Sequence, residues 1–98
     1  MLELLIRPKA QADLKHIWRY SVGQWGASQA DRYLRDLERE IQGLAHFPVL
    51  GVSYEHVRAG YRALHVKRHL VFYRQQGRRL EIVRVLHEAM RVEQHLVD

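Results

Sequence analysis

Apolar residues recur every three to four positions up to about Leu44 and every second position after Gly60. A helical first half and a stranded second half cannot share one layer. Each half must bury its apolar side against the other. In the first half Pro8 suits a helix's opening turn, where its missing N–H costs little. Behind it Ala10, Leu14, Ile17 and Tyr20 or Ser21 mark one helical face that ends near Val22 to Gly26. A second helix is expected after Gly26, with Ser28 as its cap. Its stripe is Ala30, Tyr33 or Leu34, Leu37, Ile41 and Leu44, and its outer face carries Asp31, Arg32, Arg35, Asp36, Glu38 and Arg39. The short Gly26 hinge makes the two helices an antiparallel hairpin, closed by Phe47-Pro48-Val49-Leu50-Gly51.

Three runs rich in Val, Leu, Ile, Tyr and Phe follow: Tyr61 to Val66, Leu70 to Arg74 and Leu80 to Leu86. Lys67-Arg68 and Gln75 to Arg78 fall where tight turns belong, so the runs form an antiparallel meander. Ile82-Val83-Arg84-Val85-Leu86 is apolar on both faces apart from Arg84, the pattern of a strand covered on both sides. Leu2 to Ile6 reads as one further short strand and Glu88 to Leu96 as a last short helix. The expected fold is α+β: an N-terminal strand, a helix hairpin on an antiparallel sheet, and a short C-terminal helix, in one domain over residues 1–98.

Composition narrows the chemistry. Without cysteine there is neither a disulfide framework nor a thiolate metal site, which fits a reducing cytoplasm. The seven histidines (16, 46, 56, 65, 69, 87 and 95) include no pair at helical HxxxH spacing, since His65 and His69 fall on opposite sides of a turn, so no metal and no cofactor is expected. No apolar run reaches the roughly 18–20 residues of a membrane span. The opening Met1 to Arg7 reads as a strand rather than a signal peptide, since a basic lead and a cleavage site are missing. Net charge is +5, and it is uneven. Residues 1–50 hold seven Lys/Arg against six Asp/Glu (+1), and residues 51–98 hold nine against five (+4). Between His56 and His87 eight cations, seven of them arginine, face one acid, Glu81. Such a face suits carboxylates or phosphates on a partner.

The order and spacing of several short motifs then resemble a known family. They are Pro8-x-Ala10-x-x-Asp13-Leu14-x-x-Ile17-x-x-Tyr20, Trp25-Gly26-x-x-Gln29-Ala30-x-x-Tyr33, and Pro48-x-x-Gly51. Gly60-Tyr61-Arg62, His69 to Arg74 and Ile82 to His87 complete the set. From Leu2 to Leu96 the chain is similar to ParE toxins of the RelE/ParE superfamily. The resemblance implies a toxin–antitoxin system, a ParD-like antitoxin whose C-terminal segment wraps the toxin in a hetero-oligomer, and DNA gyrase as target. The RelE branch implies the alternative, ribosome-dependent cleavage of messenger RNA. A degenerate, non-toxic family member is a third reading. Ala89 stands where relatives often carry arginine and Arg91 where ParE relatives often carry aspartate.

Metal-free RNA cleavage needs a base, an acid and cations on the phosphorane. RelE-like enzymes use Lys and Arg with a late Tyr or His, but here the lysines are Lys9, Lys15 and Lys67 and no tyrosine follows Tyr73. A ribonuclease would have to work with Arg62, Arg84 and His87. The expectation is instead a docking protein without a catalytic set. Its antitoxin groove would be lined by Trp18, Tyr20, Tyr33, Leu34 and Leu37 and rimmed by Arg58, Arg62 and Arg74. Its target face would use Lys67, Arg68, Arg84, His87 and Arg91, with no direct nucleic-acid binding by the toxin alone and no membrane contact. Asp13 sits beside the apolar stripe of the first helix, where a carboxylate needs a donor from the sheet. Arg62 or a backbone N–H would serve, and Arg84 would in turn pair with Glu81 or Asp13.

Overall fold

A computed structural model describes residues 1–96; Val97 and Asp98, the end of the expected domain, lie outside the described residues. The chain runs β1 (Glu3–Ile6), α1 (Pro8–Trp25), α2 (Ala27–Leu44), β2 (Val52–Ser53), β3 (Tyr61–Val66), β4 (His69–Gln76), β5 (Arg79–His87) and α3 (Val92–His95). One five-stranded sheet has the order β1-β5-β4-β3-β2. The meander β3-β4-β5 is antiparallel as the period predicts. β1 joins it in parallel beside β5, with Glu3 opposite Arg79 and Ile6 opposite Ile82, so the sheet is mixed. A parallel neighbour needs a long crossover, and the helix hairpin with the meander supplies it.

α1 opens on Pro8 and closes at Gly26. Gly26 also precedes α2, and its φ of 91° is a conformation glycine adopts without strain. The expected Ser28 cap is absent: α2 begins at Ala27, one residue earlier, with no side-chain cap, because Gly26 makes the reversal alone. Ala30, Leu34, Leu37, Ile41 and Leu44 are all buried as their spacing requires. The four larger ones pack with Ala10, Ile17, Val71, Tyr73, Leu80 and Ile82 in a core between hairpin and sheet. Each large aliphatic side chain there contributes roughly 1.5–3 kcal/mol by leaving water.

A second cluster covers the other face of the sheet: Tyr61, Ala63, Phe72, Val83, Leu86 and Leu96, flanked by Tyr54, Val57 and Val92. This is why β5 is apolar on both sides. A register shift at Phe72/Tyr73 breaks strict alternation in β5, so Ile82 and Val85 share the helix side while Val83 and Leu86 share the other. The C-terminal helix is shorter than expected. Only Val92–His95 is helical, because Glu88 to Met90 turn out of β5 with backbone bonds from Glu88 to Arg68 and from Met90 to His87.

The segment Pro48 to Gly51 is pinned by two side chains, Tyr73 and Arg62. The Tyr73 hydroxyl donates to the Pro48 carbonyl (2.7 Å) and accepts the Gly51 N–H (2.9 Å). The Arg62 guanidinium donates to the carbonyls of Gly51 (2.6 Å) and Val49 (3.3 Å). A Cβ on Gly51 would lie 2.6 Å from that hydroxyl and 2.7 Å from the Ala63 carbonyl oxygen. The Pro48-x-x-Gly51 spacing therefore serves close packing.

Candidate functional site

Three elements converge at the β3–β4 turn. Tyr33 from α2, His69 at the start of β4 and His87 at the end of β5 form one chain of contacts. The strand register sets it, since His69 lies directly opposite His87. The Tyr33 hydroxyl is 2.6 Å from His69 Nδ1, and the His69 and His87 rings meet edge to face at 5.3 Å. Burial foremost, with the charge of His87 second, pushes the His69 pKa down to about 4, so the ring is neutral at pH 7. Burial also raises the Tyr33 phenol, partly offset by the Arg68 N–H and the nearby charges of Lys67 and Arg68. His87 Nδ1 accepts the Ala89 N–H at 3.1 Å.

These residues form one wall of a cleft of about 640 Å³, with Trp25, Tyr20 and His16 of α1 opposite and Met90 and Arg68 at its margins. Trp25 stacks obliquely on Tyr33 at 6.1 Å. The cleft floor carries Asp13. Arg84 grips that carboxylate with two bonds, Nε to Oδ2 at 2.8 Å and Nη2 to Oδ1 at 2.9 Å, and the Val85 N–H adds a third at 2.9 Å. Arg84 Nη1 also donates to the His95 carbonyl at 3.0 Å, tying α3 to α1 through the sheet. The hydrogen bond to Asp13 raises the Arg84 pKa, so the guanidinium stays charged.

The sequence placed a donor from the sheet on Asp13. The backbone half of that expectation holds at Val85, and Arg84 rather than Arg62 supplies the side chain. The ribonuclease trio does not converge. Arg62 pairs across from Tyr73 and His87 from His69, four residues apart on β4, or about 13 Å. Arg62 is spent on the Val49–Gly51 carbonyls and Arg84 on Asp13.

The expected antitoxin groove also divides. Leu37 is fully buried and cannot line a surface, because its helical position points into the core. Trp18 and Leu34 border a shallow hollow with Leu14, and the Trp18 indole N–H donates to Asp31 at 2.8 Å across the hairpin. Tyr20 and Tyr33 belong to the cleft instead. The three rim arginines sit away from it. Arg74 bonds Glu81, Arg62 holds the loop, and Arg58 lies 5.9 Å over the Tyr61 ring. The cations near Tyr33 are Lys67, 5.1 Å over its ring and bonded to Asp36 at 2.7 Å, and Arg68. Of the expected target face, Lys67, Arg68 and His87 lie together, Arg91 is exposed and Arg84 is engaged inward. Sequence reasoning passed over His69, His16 and Met90. The one signal for His69 was its place just after a turn, opposite a strand-end histidine. Among the described residues no group of three or more His, Asp or Glu is placed to hold a metal ion, and no helix is long and apolar enough to cross a membrane.

A two-helix hairpin on a mixed sheet, with a donor-rich cleft where the hairpin meets the β3–β4 turn, defines a small toxin-like α+β fold. The chain belongs to the ParE toxin family: the model of the ParE toxin of the type II toxin–antitoxin system, parDE, matches residues 4–92. Toxin ParE1 of Caulobacter vibrioides is 47% identical over 88 residues, covering 90% of this chain and 91% of that protein. Toxin ParE1 of Mycobacterium tuberculosis is 41% identical over 93 residues, covering 94% and 95%. A solved structure described as the chromosomal ParDE TA system from P. aeruginosa superposes with a TM-score of 0.80 at 24% identity, over 89% of this chain and 96% of that one, a likeness of fold.

Proposed function

We propose that this toxin acts in the cytoplasm as one domain that inhibits DNA gyrase by docking on it, and that a ParD-like antitoxin neutralises it in a hetero-oligomer. The observation that carries the reading is the engagement of the arginines an RNA-cleaving site would need. Arg84 is locked on Asp13 and Arg62 on loop carbonyls, and His87 lies across β4 from Arg62, about 16 Å away by the strand spacings. Docking needs a shaped and charged surface, which Lys67, Arg68, His87 and Arg91 supply. The hairpin offers the antitoxin two exposed aromatic anchors, Trp18 and Tyr20, 39% and 60% exposed, on either side of α1. A disordered acidic segment would lay its apolar residues over them and its carboxylates on nearby cations.

The test is a gyrase supercoiling assay with the purified chain, run beside primer extension on translating ribosomes. Supercoiling should stop while transcripts stay whole. Cut transcripts with gyrase untouched would overturn the proposal.

A further inference from the structure

The cleft between α1 and the β3–β4 turn has an unusual polar inventory. Its one carboxylate, Asp13, has both oxygens filled by Arg84 and the Val85 N–H. The charge of Glu88 reaches Tyr33 and His69, but its carboxylate is bonded to His65 at 2.8 Å. Because His87 Nδ1 accepts from Ala89, its ring N–H is on Nε2. The Tyr33 hydroxyl accepts the Arg68 N–H and shares a hydrogen bond with His69 Nδ1 whose direction follows the His69 tautomer. Neither Nε2 has a hydrogen-bond partner among the described residues. The Arg68 guanidinium meets no carboxylate there either. What the cleft has left to offer is the Arg68 guanidinium and the His87 ring N–H, beside hydroxyls and a His69 ring that serve either way.

The walls are aromatic: Trp25 and Tyr20 are 51% and 60% exposed, and Tyr33 stacks beside Trp25. A volume of about 640 Å³ holds a ligand of mononucleotide size. A guanidinium beside a ring N–H selects an anion, and flat ring faces select a planar group. We propose that this cleft binds a nucleotide, its base against Trp25 and Tyr20 and its phosphate on Arg68 and the His87 N–H. The site shares Arg68 and His87 with the proposed docking surface, but nucleotide binding is read without gyrase, so its failure and the failure of gyrase inhibition are distinguishable. It also makes nucleotide and any partner segment laid across Tyr20 compete.

Adenosine 5′-monophosphate is the probe, titrated into the full chain by calorimetry and by NMR of the histidine ring protons. Binding should move the His69 and His87 resonances and leave His46 in place. Arg68→Ala should weaken it at least tenfold and Trp25→Leu about fivefold, as loss of a charge-assisted contact and of one stacked ring implies. Both residues are exposed, so both variants should keep the melting temperature of the parent. Adenosine should bind at least tenfold more weakly than its monophosphate, and Trp18→Phe should leave the affinity unchanged. No binding at millimolar nucleotide overturns the proposal, as does an affinity indifferent to Arg68 and Trp25. Tighter binding of an acidic aromatic peptide such as acetyl-Asp-Trp-amide at the same resonances also overturns it, marking a peptide site.

Discussion

Replacing Asp13 by alanine removes the acceptor of three hydrogen bonds at 2.8–2.9 Å and leaves their donors behind. The Asp13 and Arg84 side chains are only 15% and 17% exposed. Breaking a fully buried pair costs about 3–5 kcal/mol, and an orphaned buried N–H such as that of Val85 about 1–3 kcal/mol. Here Arg84 keeps the His95 carbonyl, and water reaches the cleft floor, so a net loss of about 3 kcal/mol is expected. For a domain of this size that lowers the melting temperature by about 12–20 °C. Urea unfolding followed by far-UV circular dichroism gives the free energy directly. Arg84→Met separates the pair from its surroundings: the double variant carries no stranded charge and should be more stable than the sum of the single losses predicts, by about 1.5–2.5 kcal/mol. A loss below about 1 kcal/mol for Asp13→Ala, or strict additivity in the double variant, would refute the reasoning.

Gly51→Ala drives a Cβ onto the Ala63 carbonyl, which belongs to the sheet and cannot yield, so a loss of about 2–4 kcal/mol should appear in the same urea experiment. Tyr73→Phe removes the hydroxyl between Pro48 and Gly51 and should cost about 1–3 kcal/mol while leaving far-UV spectra unchanged. His69 has its folded pKa depressed from 6.5 to about 4, so protonation opposes folding. Stability is full above pH 6.5 and falls as pH drops toward 4, and His69→Gln should flatten melting temperature against pH across that window. Glu81, held below the usual carboxylate range first by Arg7 and then by Arg74 against the push of burial, adds a second loss on the acid side of pH 4.5 that persists in the His69 variant. Alanine at both Lys67 and Arg68 should weaken an antitoxin complex more at low salt than at high salt, as read by calorimetry at two ionic strengths.

The helix stripe and the meander were legible in the sequence because burial there follows a simple period: Ala30 to Leu44 at three and four, Tyr61 and Ala63 at two. The two-sided burial of β5 was legible from its unbroken apolar run. Its cause was not, since a register shift and a cover built from Tyr54, Val57 and Leu96 depend on contacts far apart in the chain. The place of β1 was hidden for the same reason, because four residues carry no record of which strand they will meet. For the site, the sequence correctly tied Asp13 to the sheet. It also offered Asp13 as a partner for Arg84, which the fold provides, but it set Arg58, Arg62 and Arg74 at one rim, whereas Arg62 and Arg74 each turn to a partner inside the protein. Leu37 was misread because Tyr33, Leu34 and Leu37 share a broad apolar arc, of which only the Tyr33 side reaches the surface.

The parallel union of β1 with β5 sets Glu3 beside Arg79, residues separated by most of the chain. During translation Leu4 and Ile6 wait without a neighbouring strand until the last twenty residues are being added. Asp13 waits equally long for Arg84. A polypeptide abandoned by its ribosome before Arg79 therefore lacks both the strand that joins the two ends of the sheet and the cation that locks the first helix.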